Sequence, residues 1–141
     1  MTDWKFEHSI FTKANKKTAW GFLTDMSNQV RMEPGIENIE LDGEFTTGTI
    51  GRTITKNYTQ EWELSKVIIE KLFVITGKTE SKDLVLSFSW EFEDEGNGTR
   101  LTQNIKATGS KLEKYQETFR NMEENAPIQM TKLAVELDNL A

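Results

Sequence analysis

Polar and apolar residues alternate along most of this chain, and the period of the alternation changes at a few sharp points. In residues 4–13, Trp4, Phe6, His8 and Ile10 fall on one side and Lys5, Glu7 and Ser9 on the other, the period of two that marks a strand with one dry face. Asn15 follows, a residue suited to cap a helix, and Ala19, Trp20, Phe22, Leu23 and Met26 then recur at helical spacing. A second short helical piece over 27–32 ends at Glu33-Pro34-Gly35, because a proline disfavours the helical conformation in the residue before it.

From Ile36 the period of two returns. Ile39 and Leu41 oppose Glu40 and Asp42; Ile50, Arg52 and Ile54 oppose Thr49, Gly51, Thr53 and Thr55, and the isoleucine-bearing side reads as the inner one. Trp62 and Leu64 oppose Glu61 and Glu63, and 71–78 forms a further strand with Phe73 and Ile75 inward. The cleanest alternation is 83–93, with Leu84, Leu86, Phe88, Trp90 and Phe92 on one face. Asp94-Glu95-Gly96-Asn97-Gly98 is a hairpin turn, since glycine and asparagine accept positive φ, and Leu101, Gln103, Ile105 and Ala107 return on the inner face. Short turns between strands make them antiparallel neighbours.

After Gly109-Ser110, with Ser110 as the expected cap, the period becomes helical to the end. Leu112, Tyr115, Phe119, Met122, Ala126, Met130, Leu133, Leu137 and Leu140 form one apolar stripe. Pro127 interrupts it and removes a backbone donor, and the continuity of the stripe favours one kinked helix over two. A sheet with one dry face needs a cover, and this helix carries the largest stripe to provide one. The predicted class is α+β: a curved antiparallel sheet gripping a long terminal helix, with two short helices after the first strand.

Length and composition narrow the picture. The 141 residues fit one domain, read as 1–141, and the 36% hydrophobic and 28% charged content is that of a globular protein. There is no cysteine, which excludes disulfides and thiolate chemistry. The net charge of −6 and the absence of a basic block argue against nucleic acid as a partner. No apolar run approaches the ~20 residues of a membrane span, and the N-terminal residues hold no apolar leader core, so integral membrane association is not expected and a cytoplasmic location is.

This order of elements resembles the START-like superfamily, also called SRPBCC, which includes the birch-pollen-allergen fold and polyketide cyclases. The resemblance is carried by 6–14, by Trp20-Gly21-Phe22-Leu23-Thr24-Asp25, by 36–43 and 48–54, by Asp94-Glu95-Gly96-Asn97-Gly98-Thr99-Arg100-Leu101 and by the helix over 111–140, and so spans nearly the whole chain. One departure is Val67-Ile68-Ile69-Glu70-Lys71, where many relatives carry a proline. The resemblance implies a helix-grip fold of seven strands with a cavity between sheet and helix. It implies ligands such as sterols, lipids, hormones or polyketides, with cyclases a minority. It is specific for architecture and brings no shared catalytic motif.

The inner face is rich in rings, and Trp62, Phe73, Phe88, Trp90, Phe119 and Met122 are the expected wall of such a cavity, although the same residues would equally fill a solid core. Three polar residues lie on faces read as inward: His8, Arg52 and Gln103. A buried polar group must find a partner. Arg52 would either pair with a protein acid such as Glu33 or Glu37 or anchor a ligand carboxylate or carbonyl; His8 and Gln103 would be core or rim residues, or would orient a ligand's polar end. One histidine and no cysteine leave no zinc site, and no nucleotide-binding glycine loop or nucleophile elbow appears, so no cofactor is expected.

The leading expectation is therefore a module that holds a small hydrophobic or amphipathic molecule, its entrance near Pro34-Gly35, the hairpin loops and Pro127. The alternative is a cyclase or dehydratase using Arg52 or His8 on a polyketone, and the discriminator is whether the polar groups converge. An interaction domain would need an apolar outer sheet face, which Thr49, Thr53, Ser87, Glu91 and Arg100 argue against. Ligand identity and oligomeric state are not written in the sequence.

Overall fold

The computed structural model describes residues 3–78 and 83–141. Its elements are β1 (Asp3–Thr12), α1 (Lys16–Thr24), α2 (Met26–Met32), β2 (Ile36–Leu41), β3 (Ile50–Thr55), β4 (Thr59–Ile68), β5 (Leu72–Lys78), β6 (Val85–Glu95), β7 (Gly98–Thr108) and α3 (Gln116–Asp138). The strands form one antiparallel sheet in the order β1-β7-β6-β5-β4-β3-β2. The first strand pairs with the last, while β2 forms the opposite edge. The α1–α2 pair must therefore cross from one edge of the sheet to the other, and it closes one end of the inner face.

The helix starts follow local chemistry. Asn15 caps α1, its side-chain oxygen accepting from the Thr18 N–H at 2.8 Å, and Asp25 caps α2 through the Ser27 N–H at 3.1 Å. The hydrogen bonds from Ser27, hydroxyl first and then backbone, hold the Asp25 carboxyl below its usual range. The terminal helix starts later than its stripe predicts. Residues Leu112–Tyr115 form a 3-10 turn and α3 begins at Gln116. Ser110 does not cap it; its hydroxyl turns to Asp83 Oδ1 at 3.4 Å. The helix then runs unbroken through Pro127.

Cross-strand register sorts the inner face into rows. His8, Gln103, Trp90 and Phe73 are successive partners across β1, β7, β6 and β5. Phe6, Ile105, Phe88, Ile75 and Leu64 form the next row, and Trp4, Ala107, Leu86, Gly77 and Trp62 the one after. The last row continues to Gly51, because β3 pairs Gly51 with Trp62.

That register corrects the facing of β3. Gly51 and Thr53 look inward and Arg52 looks outward with Ile50 and Ile54. The reason is the size of the Trp62 indole, which lies over Gly51: a Cβ there would collide with its ring carbons. The indole Nε1 donates to Thr53 Oγ1 at 2.9 Å, so Thr53 is inward as well. One buried tryptophan with a satisfied N–H outweighs two isoleucines, which remain half-buried outside.

Two clusters make the core. The larger joins Leu133 and Leu137 of α3 to Ala19 and Leu23 of α1 and to Phe73, Phe92 and Leu101 of the sheet. Within it Trp20 meets Phe45, Phe73 and Phe92, and Phe45 meets Phe73, edge to face with centroid separations of 5.1 to 6.2 Å, the arrangement ring quadrupoles favour, while Phe73 and Phe92 are tilted at 40°. The smaller cluster holds Phe119 with Leu84, Ala107 and Leu112. A polar knot ties the two chain ends together. Asp138 near the end of α3 accepts from the Lys13 N–H at 2.8 Å and from the fully buried Thr12 hydroxyl at 2.7 Å, and these bonds hold its carboxyl below the usual range. Buried Thr99 donates to the Ala14 carbonyl at 2.8 Å beside it.

Candidate functional site

Between α1, α2, α3 and the strands β6 and β7 lies a cavity of about 100 Å³. Its apolar wall is Phe22 and Leu23 from α1, Met32 from α2, Trp90 from β6, and Met130 and Leu133 from α3. Its polar wall is Asn28, Gln29, Glu33, Gln103 and Gln129. The space arises where five elements meet and none fills the gap, so that Trp90 of β6 and Gln103 of β7 remain half-buried there.

The polar groups differ in how far they are satisfied. Asn28 Nδ2 donates to the Phe22 carbonyl at 3.0 Å, which ties α2 to α1. Gln129 Oε1 is buried with no hydrogen-bond partner, the one such side-chain atom among the described residues. An orphaned buried acceptor is costly and rare in native proteins. Burial pushes the Glu33 carboxyl up from its ordinary range, and the Lys132 charge on α3 pulls it partly back.

A wider, open groove of about 460 Å³ lies on the far side of α2, between it and α3. Met32 lines both spaces, so its side chain is the partition between them. The clasp across that groove is light. Arg31 bonds Glu136 at 2.9 Å, with both side chains substantially exposed, and its guanidinium lies 5.9 Å from the Phe22 ring centre. Such a pair contributes about 0–1 kcal/mol.

Of the residues singled out from the sequence, Trp90 and Gln103 line the cavity together as cross-strand partners. His8 is the next residue along the same row, on β1, but is not part of the wall. Phe73 is buried in the ring cluster, 2% exposed, and Phe88 lies one row away beside Ile105. Trp62 is buried over Gly51, outside the cavity wall. Phe119 is packed flat on Trp4, with ring centres 4.6 Å apart. Met122 is half-buried on α3 and does not line the cavity. Arg52, on the outer face, is held by Asp42 through three contacts of 2.8 to 2.9 Å. The protein acid that Arg52 pairs with is thus Asp42, and neither Glu33 nor Glu37.

Asn28, Gln29, Glu33 and Gln129 carried no sequence signal as wall residues, because polar side chains on a helix normally mark the wet face. One cue for Gln129 is its spacing. It stands three residues after Ala126 and four before Leu133, inside the angular range of the apolar stripe.

Comparison with protein-family models and with curated proteins finds no match. Solved structures do match over nearly the whole chain. The crystal structure of Ara h 8.0201 aligns at a TM-score of 0.72 and 12% identity, covering 96% of this chain and 97% of that one. Norcoclaurine synthase from Thalictrum flavum aligns at 0.74 and 13%, covering 96% and 92%. The di-domain aromatase/cyclase StfQ of the steffimycin biosynthetic pathway aligns at 0.78 and 13%, covering 98% of this chain and 51% of that protein, so this chain spans about half of it. The chain has the START-like, helix-grip fold. Among the described residues no helix is long and apolar enough to cross a membrane.

Proposed function

We propose that this protein binds a small amphipathic molecule in the cavity lined by α1, α2, α3 and the β6–β7 strands. The observation that carries this reading is the wall itself: six apolar and five polar side chains line a space of about 100 Å³, and one of the polar residues, Gln129, has a buried Oε1 unmatched by the protein. Sites for small molecules are concave, with apolar walls and a few polar groups that set orientation. An engineered apolar cavity of roughly 150 Å³ takes up benzene, so a space of this size suits a ring-sized guest rather than a sterol. The lightly clasped α2 is the wall best placed to yield to a larger one. An aromatase/cyclase and a norcoclaurine synthase with the same fold are consistent with a cavity put to different uses.

A cyclase working through Arg52 and His8 is less well supported. Arg52 is engaged by Asp42 on the opposite side of the sheet, and His8 stands outside the cavity wall. Those groups do not converge on one point with Gln103.

The test is native mass spectrometry of freshly purified protein beside a Leu133→Trp variant, which fills the cavity. The expected result is a co-purified small molecule, or uptake of added toluene, in the parent and its loss in the variant. Equal uptake by both would overturn the assignment of the site.

A further inference from the structure

Resting on that reading, we infer that the cavity selects a compact, ring-bearing ligand whose polar end donates hydrogen bonds, best an ammonium group, and that it rejects carboxylates. The polar wall is four amides and one carboxyl, with a negative charge but no positive one. Glu33 brings a carboxylate, Gln129 an unpartnered buried oxygen, and Asn28 an amide with one N–H committed to the Phe22 carbonyl. Gln103 and Gln29 can present either end of their amides. No lysine, arginine or histidine lines the space. Lys132 acts on Glu33 electrostatically from α3 but belongs to the outer groove, and Arg31 is turned to Glu136.

The chemistry of the guest follows from complementarity. A carboxylate entering this space would meet another carboxylate and a buried oxygen, with no cation in the wall to bind it and only Lys132, from the outer groove, acting on Glu33, a costly juxtaposition. A hydroxyl or amide N–H would satisfy Gln129. An ammonium group would do so and also neutralise Glu33, forming a charge-assisted hydrogen bond. The ring would lie on Trp90, Phe22 and Leu133, and a cation beside the Trp90 ring gains further from its electron-rich face. This inverts the polarity of the ligand end, a carboxylate or carbonyl, that Arg52 would have anchored. It also supplies a use for a half-buried glutamate and an unpaired glutamine that packing alone would not place here.

Four probes that share one ring separate the possibilities: toluene, benzyl alcohol, benzylamine and benzoate, each titrated into the full chain by NMR. The expected order is benzylamine tightest, then benzyl alcohol, with benzoate at least about tenfold weaker than benzylamine. Glu33→Gln is expected to cost benzylamine about tenfold and to leave toluene unchanged. Glu40→Gln, which removes an exposed charge on the outer face, is expected to change nothing and so controls for the net negative charge. Gln129→Leu is expected to erase the preference for benzyl alcohol over toluene, and it tests the inference independently should Glu33→Gln fail to fold. Benzoate binding as tightly as benzylamine, or a Glu33→Gln variant with unaltered selectivity, would overturn the inference while toluene binding kept the cavity reading. Failure of all four probes would overturn both.

Discussion

The two ends of the space beneath α3 are closed by different means. At the Phe119 end, the Trp4 ring lies flat on Phe119 with an interplanar angle of 8°, and its one polar atom leaves the core to donate to Glu123 at 2.8 Å. Leu84, Ala107 and fully buried Leu112 fill what remains. At the Met130 end, α1 and α2 add a third layer, and the side chains that reach inward include amides and a carboxyl. Those groups cannot pack like methylene, because each needs a partner of defined geometry. One end is a core and the other is a cavity, on the same sheet and under the same helix. Fold and pocket are thus separable properties of this sequence. Rings set the first, and the polar residues of α2 and α3 set the second.

Substitutions can break that comparison, and the largest effect belongs to the filled region. Phe73→Ala removes a ring that touches Trp20, Phe45 and Phe92, and should cost about 3–5 kcal/mol in urea unfolding. Gln129→Leu at the hollow end should change stability by no more than about 1 kcal/mol, since it removes an unsatisfied group. Equal costs would show that the hollow end is packed after all. Next in size is Gly51→Ala. The added Cβ collides with the Trp62 indole, so a loss of about 1–3 kcal/mol is expected in the parent and little further loss in a Trp62→Leu background; a double-mutant cycle reads the coupling. Thr12→Val comes third. It strips Asp138 of one of its two donors and should cost about 1–2 kcal/mol, discounted because the carboxylate is partly exposed.

The smallest expected effect is on pH dependence. The Glu33 carboxyl titrates above its ordinary 4.5 in the folded chain, so between those two values the folded state holds more protons than the unfolded one. Stability should decline as pH rises from 4.5 through the folded value and then level off, and Glu33→Gln should flatten that decline. Asp138 acts in the opposite sense: its contribution is present above 3.8 and is lost as pH falls through its lowered folded value. Chemical unfolding at a series of pH values separates the two.

Much of the fold was legible in the sequence because it rests on period. The dry faces of β1, β6 and β7, the hairpin at Gly96 with φ of +56°, and the stripe of α3 all follow from alternation. Facing failed at β3, where Ile50 and Ile54 made the wrong side look apolar. Alternation reports composition, whereas the facing there is set by the demand of Trp62 for a glycine opposite it, a contact between strands. The site was legible only in part for a related reason. Trp90 and Gln103 sit on a strand whose inner face is clear. Glu33, Asn28 and Gln129 sit on helices where a polar residue looks like surface until the neighbouring element is placed against it. Arg52 was misassigned because the same β3 error carried it inward.

The central claim is that a ligand occupies the cavity at Trp90 rather than any other part of the ring-rich interior. Four indole N–H resonances, from Trp4, Trp20, Trp62 and Trp90, report on four separate places in the interior. In a titration with toluene, the Trp90 signal should move in a saturable way while those of Trp62, bonded to Thr53, and Trp4, bonded to Glu123, stay in place. A shift confined to Trp62 or Trp4, or none at Trp90, would contradict the account.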